Sequence, residues 1–387
     1  MLSPLAGSAR LRVPVLTSLH ELSDAARHRL RTRSCPAGAL FRAQQLELVD
    51  VPVPPSSPDA AWELSDDQLD ALVHARVLLG DASVCAPLLL LPPPASLGSL
   101  TTPLLRDVEW VQATFAGVEP FQRLVPPASA ATTTAPAFSV TRAGGIMGPA
   151  MAQYVLGWIV AVERQFFAAR EFQLRREWAS AQLEYRPFGE LTVGVLGFGD
   201  IGQSIGRLLK AAGFRVLGFK RSVNVLEATT DGGDPNGASA GAAGFSVGDA
   251  AHRVTSNLQH VLEQSDVLVN VLPSTEATRG LLHDGNLPLC ARRKPLFINV
   301  GRGDVVSEAA LLTALDRRWI SRAVLDVVAT EPLPVASALW SHANVHVTPH
   351  VAAKSFPSDV ADVFVDNLNR FLAREPLRFR VNWLTGY

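Results

Sequence analysis

Residues 192–202 read Thr-Val-Gly-Val-Leu-Gly-Phe-Gly-Asp-Ile-Gly, and this stretch decides the fold. Five strand-type residues, Thr192–Leu196, lead into a glycine-rich turn, and apolar residues then recur at helical spacing over 205–209. A strand, a G-x-G-x-x-G turn and a helix in that order are typical of the phosphate-binding turn of a dinucleotide-binding domain. A turn with a purely structural role is the alternative.

Each glycine of this turn has a separate physical role. Gly197 permits the tight turn, Gly199 lets a pyrophosphate approach the backbone, and Gly202 lets helix and strand pack closely. The amino end of the following helix faces the phosphates, because its N–H groups and its dipole favour negative charge. We therefore predict that a dinucleotide contacts Gly197, Gly199, Asp200, Ile201 and Gly202.

Further strand-like runs follow, and helix-length segments separate most of them. The runs are Arg215–Phe219, Val267–Leu272, Leu296–Val300, Ala323–Val327 and Val345–Thr348. Apolar strands that alternate with helices predict a parallel sheet covered on both faces, which is a doubly wound α/β domain. A segment rich in Gly, Ala, Asp and Ser interrupts this rhythm, and we predict a flexible surface insertion at 223–250.

Upstream of the turn, residues 10–140 alternate short apolar stretches with loops rich in Pro and Ser. The pattern predicts a loop-rich α/β domain with a first strand at Arg12–Leu16 and a helix at Leu22–Leu30. Apolar residues at helical spacing over Met147–Arg170 predict a linking helix. Because 387 residues exceed what one hydrophobic core usually serves, we expect two domains.

The charge balance disfavours several function classes. Lys and Arg number 35 against 36 Asp and Glu, so no basic excess indicates a nucleic acid or a membrane as partner. The longest apolar run falls short of the roughly 20 residues that span a bilayer. Cys35, Cys85 and Cys290 lack metal-site spacing, so we expect no metal and reduced thiols in the cytoplasm. An Arg-rich start leaves a mitochondrial presequence as the alternative.

The end of the second strand of the dinucleotide domain reads Phe219-Lys220-Arg221-Ser222. An Asp or Glu usually stands there to accept the 2′-hydroxyl of the adenosine ribose. Two cations and a hydroxyl suit a 2′-phosphate instead, so Lys220, Arg221 and Ser222 favour NADPH, with NADH possible. The alternative is that the two cations belong to a solvated strand end.

Three further strand ends carry chemistry in the order Arg302, Glu331, His350. Hydride addition to a ketone leaves negative charge on oxygen, so a proton donor and a fixed cation lower the barrier. His350 can donate the proton, and Glu331 can orient the imidazole and stabilise its charged form. Arg302 can bind a planar carboxylate through two parallel hydrogen bonds. Each residue taken singly has another explanation. Arg302 could form a salt bridge within its loop, Glu331 could be an exposed acid, and His350 could cap a helix or a loop.

These motifs resemble those of the D-isomer-specific 2-hydroxyacid dehydrogenase family. The matching segments are residues 197–202, 299–303, 325–327 with 331–334, and 348–350, together with 110–118 and 141–148 outside the dinucleotide domain. The details are most similar to the glyoxylate/hydroxypyruvate reductase A type, notably residues 151–157, the Arg221-Ser222 pair and the Gly386-Tyr387 ending. The insertion after Ser222 is longer than usual for that type.

The resemblance implies a fold in which a Rossmann-like doubly wound parallel sheet, residues 149–351, is inserted into a flavodoxin-like substrate domain, residues 1–148 with 352–387. It also implies a homodimer. Arg302, Glu331 and His350 would be catalytic, and substrate would contact Ala116, Gly117, Val118, Arg302 and His350. Asp326 would face the nicotinamide amide. Further cofactor contacts would come from Leu272, Pro273, Ser274, Thr278, Val300, Gly301, Arg302 and His350.

The expected activity is NADPH-dependent reduction of a small 2-oxo acid, of the glyoxylate or hydroxypyruvate kind, to the D-2-hydroxy acid. A dinucleotide-sensing, corepressor-like binding protein of the same fold is the alternative from another class. A phosphoglycerate dehydrogenase is the alternative within the class. It is disfavoured because no regulatory domain follows and no acid follows the second strand.

Overall fold

The computed structural model describes residues 10–55, 62–92, 104–125, 136–221 and 247–383. The chain divides into two compact units. Unit 1 comprises Met1–Ile146 and Ser355–Tyr387, and unit 2 comprises Met147–Lys354. The predicted insertion at 223–250 lies mostly outside the described residues, as do Ser222 and the Gly386-Tyr387 ending.

Unit 1 is built on a five-stranded parallel sheet with the order β2-β1-β3-β4-β5. Its strands are β1 (Leu11–Leu16), β2 (Leu46–Asp50), β3 (Val77–Gly80), β4 (Trp110–Ala113) and β5 (Ser139–Thr141). Its first helices are α1 (Leu22–Thr32), α2 (Pro36–Arg42), α3 (Asp66–Val73), α4 (Ala82–Leu90) and α5 (Glu119–Leu124). The strand order is that of flavodoxin-like domains, as the resemblance implied. The predicted first strand and first helix are confirmed.

Unit 2 is built on seven strands with the order β12-β11-β10-β9-β6-β7-β8, and every neighbouring pair is parallel. The strands are β6 (Thr192–Leu196), β7 (Arg215–Phe219), β8 (Arg253–Thr255), β9 (Val267–Asn270), β10 (Leu296–Asn299), β11 (Arg322–Leu325) and β12 (Val345–Val347). The helices are α6 (Gly148–Glu163), α7 (Phe166–Arg175), α8 (Asp200–Ala211), α9 (Val247–Ala250), α10 (Leu258–Gln264) and α11 (Glu308–Asp316).

The unit 2 sheet is covered on both faces, because successive strand residues point in opposite directions. In β9, Val267 and Val269 join one buried apolar cluster while Leu268 joins another. The strand order extends outward on both sides of β6, as it does in a doubly wound domain. The predicted fold class is therefore confirmed.

The chain returns to unit 1 through α12 (Pro357–Ala373). Phe364 of this helix stacks on Trp110 of β4, and Asn367 donates a hydrogen bond to Gln112 over 3.0 Å. These contacts bind the end of the chain to the first sheet.

Two predictions need correction, and one strand was missed. The linking helix predicted over Met147–Arg170 is two helices, because Gln165 adopts a left-handed φ of 54° and its side chain donates to the Glu184 carbonyl. Strand β8 was not foreseen, since it has only three residues. The last residues of the predicted insertion, Val247–Ala250, form α9, and the Ala250 side chain is buried.

Two further observations concern the cysteine thiols and the length of the apolar helices. Cys85 and Cys290 are buried thiols, and burial raises the pKa of Cys290 to about 12. Within the described ranges, no helix is long and apolar enough to cross a membrane.

Candidate active site

Six neighbouring strands of unit 2 carry predicted site residues just beyond their carboxyl ends. These residues are Gly197 after β6, Lys220 after β7, Leu272 after β9, Val300 after β10, Asp326 after β11 and His350 after β12. Because the six strands are adjacent and parallel, their carboxyl ends lie at one edge of the sheet. The topology therefore brings residues from six separate segments to one side of the domain.

The glycine turn has the geometry that a dinucleotide requires. Gly197 has a φ of 98°, which favours glycine, and its N–H donates to the Phe219 carbonyl over 3.1 Å. A Cβ on Gly202 would fall against the carbonyl oxygen of Gly197, whereas a Cβ on Gly199 would meet nothing within 4 Å. Gly202 thus lets α8 pack closely against the turn, and Gly199 leaves open space before the amino end of α8. The residues fit a pyrophosphate.

The next strand end presents Lys220 and Arg221. The backbone N–H of Lys220 donates to the Thr255 carbonyl over 3.0 Å, which fixes the strand end beside β8. Lys220 is half-buried and Arg221 is exposed. Ser222, the third predicted phosphate ligand, lies outside the described residues.

Two buried asparagines, Asn270 and Asn299, form a clamp below Arg302. Nδ2 of Asn270 donates to Oδ1 of Asn299 over 2.8 Å, and Nδ2 of Asn299 donates to the Arg302 carbonyl over 3.2 Å. Oδ1 of Asn270 also accepts the Leu272 N–H. Sequence reasoning missed this role, although a polar residue at the end of each of two buried apolar strands was a usable signal.

The loop that carries Arg302 passes very close to the loop after β9. A Cβ on Gly301 would lie 2.8 Å from the Leu272 nitrogen and 2.7 Å from its oxygen, so this position excludes a side chain. Arg302 itself is half-buried, and its Nη1 donates to the Gly301 carbonyl over 2.8 Å. Val300 is buried, and its N–H donates to the Asn270 carbonyl over 3.0 Å.

The residues on the loop after β9 that were predicted to contact the cofactor form hydrogen bonds to other loop residues. Oγ of Ser274 donates to Asp304 over 2.5 Å, and Oγ1 of Thr278 donates to the Pro273 carbonyl over 2.6 Å. These bonds stiffen the loop and join it to the segment after Arg302. A cofactor role for Pro273, Ser274 and Thr278 stays a prediction.

His350 and Glu331 form a hydrogen-bonded pair, with Nδ1 of His350 2.8 Å from Oε2 of Glu331. Oε1 of Glu331 accepts the Val328 N–H over 3.1 Å, which fixes the carboxylate from the other side. Because Nδ1 is engaged with a carboxylate, Nε2 is the nitrogen left to face a substrate. Both side chains are exposed enough for solvent or a ligand to reach them.

Asp326 is a buried carboxylate that holds the turn carrying His350. It accepts hydrogen bonds from Oγ1 of Thr348 over 2.5 Å and from the Val351 and Ala352 N–H groups over 2.9 Å each. The His350 N–H donates to the Asp326 carbonyl over 2.9 Å. The nicotinamide contact implied for Asp326 stays a prediction, since these bonds serve the turn.

Tyr154 extends this network and was not foreseen from the sequence. Its hydroxyl lies 2.6 Å from Oγ1 of Thr348, which itself donates to Asp326. Burial raises the pKa of Tyr154 above its ordinary value. A neutral phenol on α6 therefore supports the turn before His350.

The predicted substrate loop, Ala116–Val118, follows β4 in unit 1. Ala116 and Gly117 are half-buried, whereas the Val118 side chain is buried in the apolar core. The Phe115 carbonyl accepts the Ala143 N–H over 3.1 Å. Among the described residues of both units, no group of three or more His, Cys, Asp or Glu side chains could hold a metal ion.

Comparisons with known proteins show what the chain is similar to. A family model described as "D-isomer specific 2-hydroxyacid dehydrogenase, NAD binding domain" matches residues 156–237 and 244–352. A glyoxylate/hydroxypyruvate reductase A of Serratia proteamaculans is 31% identical over 243 residues, 62% of this chain and 70% of that protein. The protein of the same name from Salmonella heidelberg is 29% identical over 336 residues, 85% of this chain and 97% of that protein.

A similar solved structure comes from Xanthobacter autotrophicus. It is a D-isomer specific 2-hydroxyacid dehydrogenase in complex with NADPH and MES. The two chains are 27% identical with a TM-score of 0.69, and the match covers 98% of this chain and 100% of the other. The likeness therefore includes both units.

Proposed function

The chain belongs to the D-isomer specific 2-hydroxyacid dehydrogenase family, and we propose that it uses NADPH to reduce a small 2-oxo acid to the D-2-hydroxy acid. The observation that carries the proposal is the His350–Glu331 pair, which lies at the same sheet edge as the dinucleotide turn. The relatives named glyoxylate/hydroxypyruvate reductase A favour glyoxylate or hydroxypyruvate as substrate.

The cofactor proposal rests on the turn at 197–202 and on the strand end at Lys220 and Arg221. When bound, NADPH supplies the hydride. The glycine turn and the amino end of α8 would hold its pyrophosphate, and the two cations would bind the 2′-phosphate through charge-assisted hydrogen bonds. The relative from Xanthobacter that was solved with NADPH supports this preference. NADH would bind more weakly, because it lacks the phosphate that the two cations recognise.

His350 is the proposed proton donor. Nδ1 is held by Glu331, so Nε2 can deliver a proton to the carbonyl oxygen as negative charge develops there. The Glu331 carboxylate keeps the ring oriented and offsets the charge of the imidazolium. Glu331 therefore acts in the same step without itself giving up a proton.

Arg302 would fix the substrate carboxylate beside the hydride donor. A guanidinium and a carboxylate form two parallel hydrogen bonds, which set both distance and orientation. The clamp formed by Asn270 and Asn299 holds the backbone that presents Arg302. Ala116, Gly117 and Val118 of unit 1 are also proposed as substrate-binding residues, as the resemblance implies.

Steady-state kinetics with purified protein tests the proposal directly. We expect NADPH oxidation with glyoxylate and with hydroxypyruvate, and slower oxidation with NADH in place of NADPH. A broad panel of 2-oxo acids would establish the order of preference. If NADPH binds tightly but no 2-oxo acid is reduced, the enzyme proposal is wrong and a dinucleotide-sensing binding protein becomes the better description.

We also propose that the protein is a homodimer, and an exposed apolar surface on unit 2 supports this. This surface is defined by four exposed side chains on α7 or just after it, Phe166, Phe167, Leu174 and Trp178, and the last two are 60% and 96% exposed. Larger exposed apolar patches mark protein–protein contacts. A second copy of this chain is the proposed partner.

A further inference from the structure

A buried carboxylate, Asp81, lies at the carboxyl edge of the unit 1 sheet, and the proposed function assigns it no role. It follows β3 directly and is 4% exposed. Oδ1 accepts from Oγ1 of Thr17 over 2.6 Å and from Oγ1 of Thr114 over 2.5 Å. Oδ2 accepts from the N–H and the Oγ of Ser18, over 2.8 and 2.7 Å.

The placement of Asp81 explains why it reaches two loops. β3 lies between β1 and β4, and all three strands are parallel. The residues that follow their carboxyl ends are Thr17 and Ser18, Asp81, and Thr114. The N–H of Asp81 donates to the Leu16 carbonyl, and that of Thr114 donates to the Gly80 carbonyl. One carboxylate thus binds both flanking loops at the centre of the edge.

A plain helix-capping role does not account for these bonds. Asp81 stands at the N-cap position of α4, where aspartate commonly accepts a backbone N–H of the first turn. Its side chain makes no such bond in α4, and four donors from the loops occupy it instead. A buried charge requires such donors, because its desolvation is costly without them. The Asp81 carboxylate therefore binds the two loops and does not cap the helix.

The loop after β4 leads from Thr114 to Ala116–Val118, the proposed carboxylate-binding backbone. Thr114 is fixed by Asp81, and the Phe115 carbonyl is fixed by the Ala143 N–H. These two bonds hold the segment that enters the substrate loop. Backbone N–H groups bind an anion well only when they are held in place beforehand.

We propose that Asp81 is a positioning residue for substrate binding, because it holds the Thr114 end of the loop so that residues 116–118 receive the carboxylate of the 2-oxo acid. This inference rests on the proposed function. Asp81 itself does not touch substrate in this proposal. It acts through Thr114 and through the Thr17–Ser18 loop, which it anchors to the same edge.

Asp81→Asn tests the proposal, because the amide replaces one acceptor oxygen with a donor that faces other donors. We expect the KM for glyoxylate or hydroxypyruvate to rise about tenfold, because this factor corresponds to the loss of one hydrogen bond to a charged acceptor. The kcat and the KM for NADPH should stay within about twofold of wild type, since binding is weakened equally in ground and transition states.

Variants of Thr114 give a milder and complementary measurement. Thr114→Val removes a single donor to Asp81 and should raise the same KM, whereas Thr114→Ser keeps the hydroxyl and should restore it. Asp266→Asn is the matched control, since Asp266 is 5% exposed and accepts the Thr192 N–H over 2.9 Å. It lies at the amino ends of β6 and β9, so it should lower thermal stability and leave the KM unchanged.

The outcomes separate this inference from the function on which it rests. An unchanged KM in folded Asp81→Asn and Thr114→Val would overturn the inference while leaving the reductase intact. Equal losses in kcat and in both KM values would assign Asp81 a merely structural role and also overturn it. If wild type reduces no 2-oxo acid, calorimetric titration of oxamate into the NADPH complex still decides the matter. Weaker oxamate binding by Asp81→Asn supports the inference, and equal binding refutes it.

Discussion

At the scale of single residues, the backbone of His350 shows how firmly the turn around it is held. His350 has a φ of 53°, a left-handed conformation that costs energy for a residue with a side chain. Its N–H donates to the carbonyls of Asp326 and Thr348, and Asp326 accepts three further bonds from the same turn. The surroundings thus impose a conformation that presents the imidazole to Glu331.

His350→Ala should lower kcat by roughly a hundredfold to ten-thousandfold, the usual contribution of a general acid. NADPH affinity, measured by fluorescence titration, should fall far less than kcat, since most of the predicted cofactor contacts lie at other strand ends. His74→Ala, at an exposed histidine that ends α3, serves as the control and should keep full activity. Wild-type turnover in His350→Ala would exclude the proton-donor role.

Arg221→Ala addresses cofactor choice. Loss of one charge-assisted hydrogen bond to the 2′-phosphate should raise the KM for NADPH about tenfold and leave the KM for NADH unaltered. Arg317→Ala, at the end of α11, removes an equivalent exposed charge elsewhere and should change neither. The ratio of the two KM values is the measurement, and an unaltered ratio would show that Arg221 does not bind the phosphate.

At the scale of elements, the β6–turn–α8 unit depends on close contact of backbone with backbone. Gly202 packs against Gly197, and Gly206 packs against the carbonyl of Ala250 in α9. Glycine at these positions lets α8 approach the sheet closely enough for its amino end to face a pyrophosphate. The position of the helix is thus part of the binding site.

Gly202→Ala should weaken NADPH binding by at least tenfold and lower the melting temperature, because its Cβ would collide with the Gly197 carbonyl. Gly157→Ala is the matched control within α6, where a Cβ meets nothing within 4 Å. It should stabilise the protein by about 0.5–1 kcal/mol through helix propensity. Thermal unfolding and cofactor titration of both variants decide the point, and tight NADPH binding by Gly202→Ala would contradict it.

At the scale of the whole molecule, the stability of unit 2 should depend on pH through His346. Burial and the neighbouring Arg322 lower the pKa of His346, and its Nε2 lies 3.2 Å from the guanidinium, which can only donate. The ring also stacks on Phe167 and makes a tilted contact with Trp158. The imidazole ring of His346 is therefore neutral in the folded state.

The sign of the effect follows from that lowered pKa. The unfolded chain binds more protons in mildly acidic solution, so the contribution of His346 is full above about pH 6.5 and is lost as the pH falls below it. We expect the melting temperature to drop between pH 7.5 and 5.5. His346→Gln should show a smaller drop, although it is less stable at pH 7.5. Equal drops in both proteins would rule out His346 as the cause.

The exposed apolar surface on unit 2 predicts the state of assembly. Light scattering after size exclusion should give the mass of a dimer for the wild type. A Leu174→Glu, Trp178→Glu double variant should give a monomer, because it places charge where two copies would pack. A monomeric wild type at micromolar concentration would refute the dimer.

The sequence is sufficient to predict six of the seven strands of unit 2 and the sheet edge that carries its chemistry. The strands at Thr192–Leu196 and Arg215–Phe219 have the bounds that hydrophobic pattern and turn residues predict. Local periodicity is sufficient here, because strands in a doubly wound domain are all parallel. Their ends therefore share one edge whatever the detailed packing.

The buried polar groups that support the site could not be predicted from the sequence, and they follow from the tertiary structure. Asp81 bonds to residues 33 to 64 positions away, and Tyr154 lies 194 positions from Thr348. No local pattern encodes such partners, since they depend on the paths of several loops. The break at Gln165 is similar, because a hydrogen bond from its side chain to a carbonyl 19 positions away accompanies a conformation that helix propensity disfavours. Periodicity assigns residues to elements and faces, whereas hydrogen-bond partners follow from the packing of those elements.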